Sequence, residues 1–178
     1  MHKQRVVILG SNSFIISSFL KKIKLDFNLI RVTRKEINLL KKDTSVKIKK
    51  IIKKGDIVIF AAAIAPVKNF DMLNQNLDMC INVFEGLKDL KIKFLINIGS
   101  DAVYKDSLVR INEKSKTIPN NLHGFMHLMR EKILFQLNFK KCFVRSTLVY
   151  GSGDPHNSYG PNSFLKKAKK KKKYLCFW

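Results

Sequence analysis

Residues 6–16 read VVILGSNSFII, and this stretch decides the fold. A run of apolar, mostly β-branched residues ends at Gly10, a few small polar residues follow, and a helix-like pattern then begins. This order predicts a strand, a tight turn and a helix, which is how a dinucleotide-binding βαβ unit opens. The turn lacks the full glycine pattern of such a unit, so the rest of the chain has to supply the context.

Strand-like and helix-like patterns alternate along the chain. The predicted strands span residues 5–9, 28–32, 57–66, 94–98 and 141–144, and the predicted helices span residues 13–22, 41–54, 72–87 and 122–137. The third strand lies in a continuous apolar run, as expected of a parallel strand that is buried on both faces. The alternation predicts one α/β domain with a parallel sheet and right-handed crossovers.

The 178-residue chain carries a formal net charge of +22, which often indicates a nucleic-acid or anionic-lipid partner. Here the positive charge is spread along the chain, and lysine strongly outnumbers arginine, the residue whose planar fork suits phosphate recognition. A genome rich in A and T would explain the many Lys, Ile, Asn and Phe residues. Nucleic-acid binding is therefore the minor interpretation of the charge.

The three cysteines, Cys80, Cys142 and Cys176, have neither metal-ligand spacing nor a pairing pattern. The N-terminus lacks a signal-peptide pattern, and no apolar stretch is long enough to cross a bilayer. These absences predict a cytoplasmic protein with no metal and no membrane partner.

Residues 166–173 read KKAKKKKK, and YLCFW follows them. A helix made of this run would repel itself. We therefore predict two parts, residues 1–165 as the folded domain and residues 166–178 as a lysine-rich tail. The tail is interpreted as a surface helix of a longer protein that is cut short, with a reading-frame slip in the lysine codons as our preferred hypothesis. A nucleic-acid or membrane tail is the functional alternative.

Three segments in order carry a family resemblance: the turn at Gly10, GSDAVY at residues 99–104, and RSTLVYGSGDPHNSYGPNSF at residues 145–164. Together they resemble the extended short-chain dehydrogenase/reductase superfamily, in its NAD(P)-dependent epimerase/dehydratase branch that acts on nucleotide sugars. The resemblance covers nearly all of residues 4–165. It implies a Rossmann-type, doubly wound parallel sheet that lacks most of the substrate-binding lobe found in the family.

The family's G-x-x-G-x-x-G turn aligns with Gly10, Ser13 and Ile16. Ser13 adds a side chain where the backbone approaches the pyrophosphate, and Ile16 is expected to push the helix away from the strand. Backbone N–H groups at the helix start, at Phe14 and Ile15, would still attract an anion. The alternative is a strand, turn and helix that binds no cofactor.

The resemblance also implies residues around the rest of the cofactor. No acidic residue follows the second strand, and Arg34 would meet a 2′-phosphate there, which slightly favours NADP over NAD; a solvated surface arginine is the alternative. The other cofactor-binding positions implied by the family are Ala61, Ala62, Ala63, Asn76 and Arg145.

The family's catalytic set is Ser or Thr with a Y-x-x-x-K pair on a helix. Ser100 matches the serine, whereas His123 and His127 stand at the tyrosine and lysine positions. The spacing of four keeps both rings on one helical face. His123 would be an acid or base near neutral pH, and His127 would hydrogen-bond a ribose. An altered working site, an inactive cofactor-binding domain and a defective gene product all remain open.

Tyr159 and Asn162 resemble the stretch that faces the nucleotide-sugar diphosphate, and would bind substrate. The chain is therefore expected to be an NAD(P)-dependent epimerase, dehydratase or reductase of a nucleotide sugar, with a homodimer as a further prediction. The rival hypothesis is a non-catalytic dinucleotide-binding or interaction module.

Overall fold

The computed structural model describes residues 3–22, 26–106, 110–155 and 160–169. One parallel sheet contains the strands β1 (Gln4–Leu9), β2 (Phe27–Val32), β3 (Ile57–Phe60), β4 (Phe94–Ser100) and β5 (Lys141–Ser146). The helices are α1 (Phe14–Lys22), α2 (Thr44–Ile51), α3 (Phe70–Leu87), α4 (Leu122–Phe135) and α5 (Gly160–Lys169), and a 3₁₀ turn spans Asp101–Val103. The strand order is β2-β1-β3-β4-β5. The chain therefore adds β2 on one side of β1, and adds β3, β4 and β5 on the other side, and the switch point lies between β1 and β3. The predicted doubly wound α/β fold is confirmed.

Helices cover both faces of the sheet because successive strand residues point to opposite sides. Val7 and Leu9 face the larger core, which α2, α3 and α4 cover as they pack side by side. Val6 and Ile8 face a smaller core that Ile16 of α1 completes. At the β5 edge of the described sheet, the alternate residues Cys142 and Val144 are exposed.

Three predicted elements are shorter by two or more residues in the structure. Residues 41–43 form turns, with the Thr44 amide donating to the Lys41 carbonyl at 3.1 Å, so α2 begins only at Thr44. β3 ends at Phe60, level with Leu9 at the end of β1, and residues 62–66 do not continue its ladders with β1 and β4. α4 ends at Phe135, two residues before its predicted end, where the Gln136 and Leu137 amides donate to carbonyls three residues back, at 3.2 Å each.

Asparagine side chains set the starts of the two long helices. The side chain of Asn69 accepts a hydrogen bond from the Met72 amide at 2.9 Å, and that of Asn121 accepts one from the Gly124 amide at 2.9 Å. Such caps satisfy amides that the helix itself leaves free. The cap at Asn121 fixes where α4 begins.

The predicted boundary between residues 165 and 166 lies inside α5, which continues to Lys169. Residues 170–178 lie outside the described residues, so the two-part division remains a prediction. Among the described residues, no helix has the length and hydropathy that a membrane-spanning helix needs.

Candidate active site

The turn at Gly10 passes directly over the segment that follows β3. Gly10 has φ +88°, and a Cβ atom built on it would lie 2.6 Å from the Ala62 nitrogen and 2.7 Å from the Ala62 Cα. Any other residue would be strained by this φ and would collide with backbone. The first glycine of the turn is therefore a steric requirement of the fold.

The start of α1 departs from a glycine-rich turn without opening a gap. The Ser13 hydroxyl accepts from the Ile16 amide at 3.4 Å and so caps the helix. Ile16 is 2% exposed and packs between α1 and the sheet, so it fills the space that a smaller residue would leave. The first-turn amides of Phe14 and Ile15 precede the helix's own hydrogen bonding and are available to an anion.

Two adjoining cavities form one cleft at the carboxyl ends of the strands. The first, of about 220 Å³, lies between the Gly10 turn, the end of β2 and residues 61–64. The second, of about 540 Å³, lies between the start of α1, the end of β4, the start of α4 and the loop after β5. Both are lined by Asn12, Ser13, Ala61 and Ala63. The cleft thus crosses the point where the strand order reverses, the usual ligand site of such sheets.

The first half of the cleft contains most of the cofactor-binding residues that the sequence predicts. Gly10, Ala62 and the exposed Arg34 line it. Asn76 does not line it but is fully buried behind it, where its side chain accepts from the Ile64 amide and donates to the Ile64 carbonyl, both at 2.9 Å. Asn76 therefore holds the wall of the cleft in place.

Ser100 and the two histidines come together in the second half of the cleft. The Ser100 hydroxyl caps the 3₁₀ turn by accepting from the Ala102 amide at 3.1 Å. A Cβ atom on Gly124 would lie 1.9 Å from the Ala102 carbonyl oxygen, so α4 packs directly on that turn. This close contact brings the first turn of α4, with His123, up to the end of β4.

The His123 and His127 rings meet edge to face, with centroids 4.7 Å apart and planes at 83°. Nδ1 of His123 accepts from the Val67 amide at 3.5 Å, which leaves the proton of the neutral ring on Nε2. Burial lowers the pKa of His123, although Asp101 partly offsets this effect. Burial, followed by the charges of Arg130 and His123, lowers the pKa of His127 to about 3. Both rings are therefore uncharged at neutral pH, and no Lys or Arg is among the described residues that line this half.

Besides Asn76, two further predicted site residues of the described structure do not line the cleft. Arg145 forms a two-pronged ion pair with Glu131 at 2.7 and 2.9 Å and also contacts the Tyr104 hydroxyl. Asn162 is buried and donates to the Gly151 carbonyl at 2.9 Å and to the Asp154 carboxylate at 3.1 Å. Tyr159, the other predicted substrate residue, lies outside the described residues.

Sequence reasoning overlooked several residues that line the cleft. The side chains of Asn12, Thr147 and Asp154 all lie there, and Asp154 is buried. Asn12 sits inside the turn and Asp154 in the Gly-rich loop after β5, so their position at strand ends was the available signal. Among the described residues, no group of three His, Cys, Asp or Glu side chains could hold a metal ion.

A doubly wound sheet with a two-part cleft at its switch point, a glycine turn and an open helix start defines a dinucleotide-binding α/β domain. The cradle at Gly10 and the free first-turn amides fit the diphosphate of such a ligand. The chain belongs to the NAD dependent epimerase/dehydratase family, whose model matches residues 6–177. The family assignment from the three sequence segments is thus confirmed, and the family's cofactor class is a nicotinamide dinucleotide.

Solved structures with the same fold include enzymes of nucleotide-sugar metabolism. A dTDP-4-dehydrorhamnose reductase from Bacillus anthracis, in complex with NADP, is 19% identical with a TM-score of 0.76 and matches 95% of this chain and 61% of its own. A UDP-N-acetylglucosamine 4-epimerase from Methanobrevibacter ruminantium is 20% identical with a TM-score of 0.77 and matches 99% and 66%. A UDP-glucuronic acid 4-epimerase from Bacillus cereus, in complex with NAD, is 19% identical with a TM-score of 0.72 and matches 95% and 64%.

The chain thus spans between 54% and 66% of the length of these and similar structures. A comparison with curated proteins found no match.

Proposed function

We propose that this chain binds a nicotinamide dinucleotide along the cleft. We further propose that it is the dinucleotide-binding part of an enzyme that transfers hydride to or from a nucleotide-activated sugar. The observation that carries the proposal is the two-part cleft, whose halves share four lining residues at the switch point of the sheet. Family membership and the nucleotide-sugar enzymes among the structural neighbours support it.

The two halves of the cleft suit different parts of the ligand. The first half is narrow and lined by alanines, which suits the adenosine. The start of α1 lies between the halves and suits the diphosphate, because its first amides face an anion. The larger second half then takes the nicotinamide ring and the sugar, beside Ser100 and His123.

When bound, the nicotinamide ring accepts or supplies hydride at a sugar carbon. The chain's own part is to hold the reacting sugar oxygen. The Ser100 hydroxyl and the Nε2–H of His123 are its proposed hydrogen-bond partners, with the tautomer of His123 set by the Val67 amide. An uncharged histidine orients this oxygen well but is a weak proton donor, so we expect slow carbonyl reduction near neutral pH.

The choice between NADP and NAD depends on the end of β2. Arg34 lines the first half and favours a 2′-phosphate. The Glu36 carboxylate accepts from the Thr33 amide at 2.6 Å and brings a negative charge to the same strand end. Since Arg34 lines the cleft and Glu36 is not among its lining residues, we propose a modest preference for NADP.

Calorimetric titration with NADH and NADPH tests the binding proposal. Gly10→Ala should abolish binding of both nucleotides because its methyl group collides with Ala62. Arg34→Ala should weaken NADPH several-fold and leave NADH unchanged. Arg31→Ala is the matched control, an exposed arginine of β2 that does not line the cleft. Wild-type protein that binds neither nucleotide would contradict the proposal.

Turnover assays with NAD(P)H and a panel of nucleotide sugars separate an enzyme from a binding module. His123→Tyr should raise turnover if the weak proton donor limits the reaction, whereas adding His127→Lys should give a further gain only if the new cation is tolerated beside the buried Arg130. Binding without turnover in every variant would favour the non-catalytic module. Cytoplasmic location and a homodimer stay predictions from the sequence.

A further inference from the structure

The side chain of Arg145, near the end of β5, joins three separate segments of the chain. Its Nε and Nη2 donate to the two carboxylate oxygens of Glu131 on α4, at 2.9 and 2.7 Å. Its Nη1 donates to the hydroxyl of Tyr104, the residue after the 3₁₀ turn, at 2.5 Å. The guanidinium carbon also lies 5.0 Å from the centre of the Tyr104 ring. One guanidinium group therefore links β5, α4 and the 3₁₀ turn that follows β4.

The segments that Arg145 links also carry polar groups into the second half of the cleft. Ser100 immediately precedes the 3₁₀ turn, and Ser146 and Thr147 immediately follow Arg145. All three of these hydroxyl-bearing residues line the second half. The Ser146 hydroxyl also donates to the Gly99 carbonyl at 2.8 Å, which connects the ends of β4 and β5 directly. The position of Arg145 therefore bears on where these hydroxyl groups lie.

Glu131 connects the same link to the two histidines. Residues four apart lie above one another on a helix, so His123, His127 and Glu131 lie along one face of α4. The two histidines line the cleft, and the buried Glu131 lies one turn beyond them. α4 is therefore attached to the 3₁₀ turn at two places. One attachment is the close packing of Gly124 on that turn, and the other runs through Glu131 and the guanidinium group.

Burial makes this network stronger than an ion pair on the surface. The side chain of Glu131 is 7% exposed and that of Arg145 is 23% exposed, and Tyr104 is buried at the edge of the cut. A two-pronged, charge-assisted pair is geometrically specific, and loss of one partner leaves the other charge unpaired in the protein. By contrast, Lys49 of α2 pairs with Asp89 at 2.7 Å where both side chains are exposed, and such a pair contributes little.

We propose that Arg145 is a positioning residue of the second half of the cleft. Through the 3₁₀ turn and α4 it sets the separation between Ser100 and His123. Arg145 does not line the cleft, so it acts on the reacting sugar oxygen only through these residues. The kinetic part of this inference rests on the proposed function. Because the hydrogen-bond partners of a reacting group must be placed closely, a changed separation should slow the reaction more than it weakens dinucleotide binding.

Two variants loosen the link to different extents. Arg145→Lys keeps the positive charge, but an ammonium group lacks the planar fork that bonds both oxygens of Glu131 and reaches Tyr104 as well. Tyr104→Phe removes only the hydroxyl that links Arg145 to the 3₁₀ turn and leaves the ion pair in place, so it is the milder change. Lys49→Gln is the matched control, since it removes a cation that joins two elements on the exposed surface.

Amide hydrogen exchange followed by NMR is the first measurement and needs no ligand. The Ala102 amide donates to the Ser100 hydroxyl at 3.1 Å and reports on the 3₁₀ turn. The Lys93 amide donates to the Asp56 carbonyl at 2.8 Å and reports on the opposite end of the sheet. In Arg145→Lys and Tyr104→Phe the Ala102 amide should exchange at least about fivefold faster, while exchange of the Lys93 amide stays the same.

The Lys49→Gln control should leave both exchange rates unchanged. Equal acceleration at the two amides in Arg145→Lys and Tyr104→Phe would show a general loss of stability and overturns the inference. Unchanged exchange of the Ala102 amide in both variants overturns it as well.

The second measurement compares turnover with binding. Tyr104→Phe and Arg145→Lys should lower kcat about tenfold, whereas the dissociation constant of NADPH should change less than about twofold. Lys49→Gln should change neither quantity. An unchanged kcat, or a loss of binding as large as the loss of kcat, overturns the kinetic part. If the wild-type protein shows no turnover, the catalytic part of the proposed function fails together with this kinetic part. The exchange measurement still decides whether Arg145 holds the 3₁₀ turn in place.

Discussion

His123 and His127 give the cleft uncharged, hydrogen-bonding rings where the family pattern has a phenol and an ammonium group. Burial is the main cause for both, so the environment sets their chemistry more than the residue type does. A lysine at position 127 would have to share this buried space with Arg130, and two cations would repel there. The surroundings of position 127 therefore favour a neutral side chain.

The neutrality of His127 predicts acid sensitivity. Its pKa is 6.5 in the unfolded chain and about 3 in the folded one. Between these values the unfolded chain binds more protons, so the free energy of unfolding is unaffected above pH 6.5 and falls as the pH drops toward 3. Urea denaturation measures how far the free energy of unfolding falls from pH 7 to pH 4.5. This fall should be smaller in His127→Gln than in the wild-type protein by about 2 kcal/mol. Equal losses in both proteins would show that His127 does not contribute.

At the scale of elements, two helical glycines set how closely α3 and α4 approach their neighbours. Gly124 of α4 faces the backbone of the 3₁₀ turn, whereas a Cβ atom on Gly86 of α3 would lie 2.7 Å from a side-chain carbon of Ile48 on α2. A backbone atom cannot move without moving its element, but a side chain can adjust. The two contacts therefore differ in how much they tolerate.

We expect Gly124→Ala to cost more stability than Gly86→Ala. The methyl group at position 124 would lie 1.9 Å from a carbonyl oxygen, so α4 must shift, at a cost of about 3 kcal/mol or more. Gly86→Ala should cost only about 1–2 kcal/mol because Ile48 can adjust and alanine favours the helix. Denaturation curves measure both, and the shift of α4 should also weaken NADH binding. Equal costs would contradict the different nature of the two contacts.

At the scale of the whole molecule, the net charge of +22 opposes folding through self-repulsion. Local ion pairs such as Arg5 with Asp56, at 2.9 Å, offset only part of it. Exposed pairs, such as Lys47 with Asp43, contribute little.

Raising sodium chloride from 20 to about 300 mM should therefore stabilise the chain by about 1–2 kcal/mol, because salt screens the repulsion between the many exposed lysines. Thermal melting at constant pH measures the change. A melting temperature that falls with salt would mean that the ion pairs outweigh the net repulsion.

Much of the fold follows from local sequence patterns. The apolar runs at residues 5–9 and 57–66 predict buried parallel strands, and Gly10 predicts the turn between β1 and α1. The ends of the elements were less predictable. β3 ends level with its neighbour β1, and the apolar run at residues 57–66 gives no information about where that pairing stops.

The site was predictable only where it follows directly from strand ends and helix spacing. Ser100 ends β4, and the spacing of four places His123 and His127 together. The partners of Arg145 and Asn162, by contrast, are Glu131, 14 residues away, and Asp154. Such partners arise from how separate segments meet, which no local pattern shows.

By itself the sequence determined the alternation of strands and helices, the glycine turn and the family. These features depend on neighbouring residues in the chain, through the spacing of apolar residues and the need for a glycine at Gly10. Only the tertiary structure decided that the charged side chain of Arg130 is buried behind the cleft and that the two histidines are uncharged. The physical reason is that burial and electrostatic environment depend on groups brought together from β3, β4 and α4.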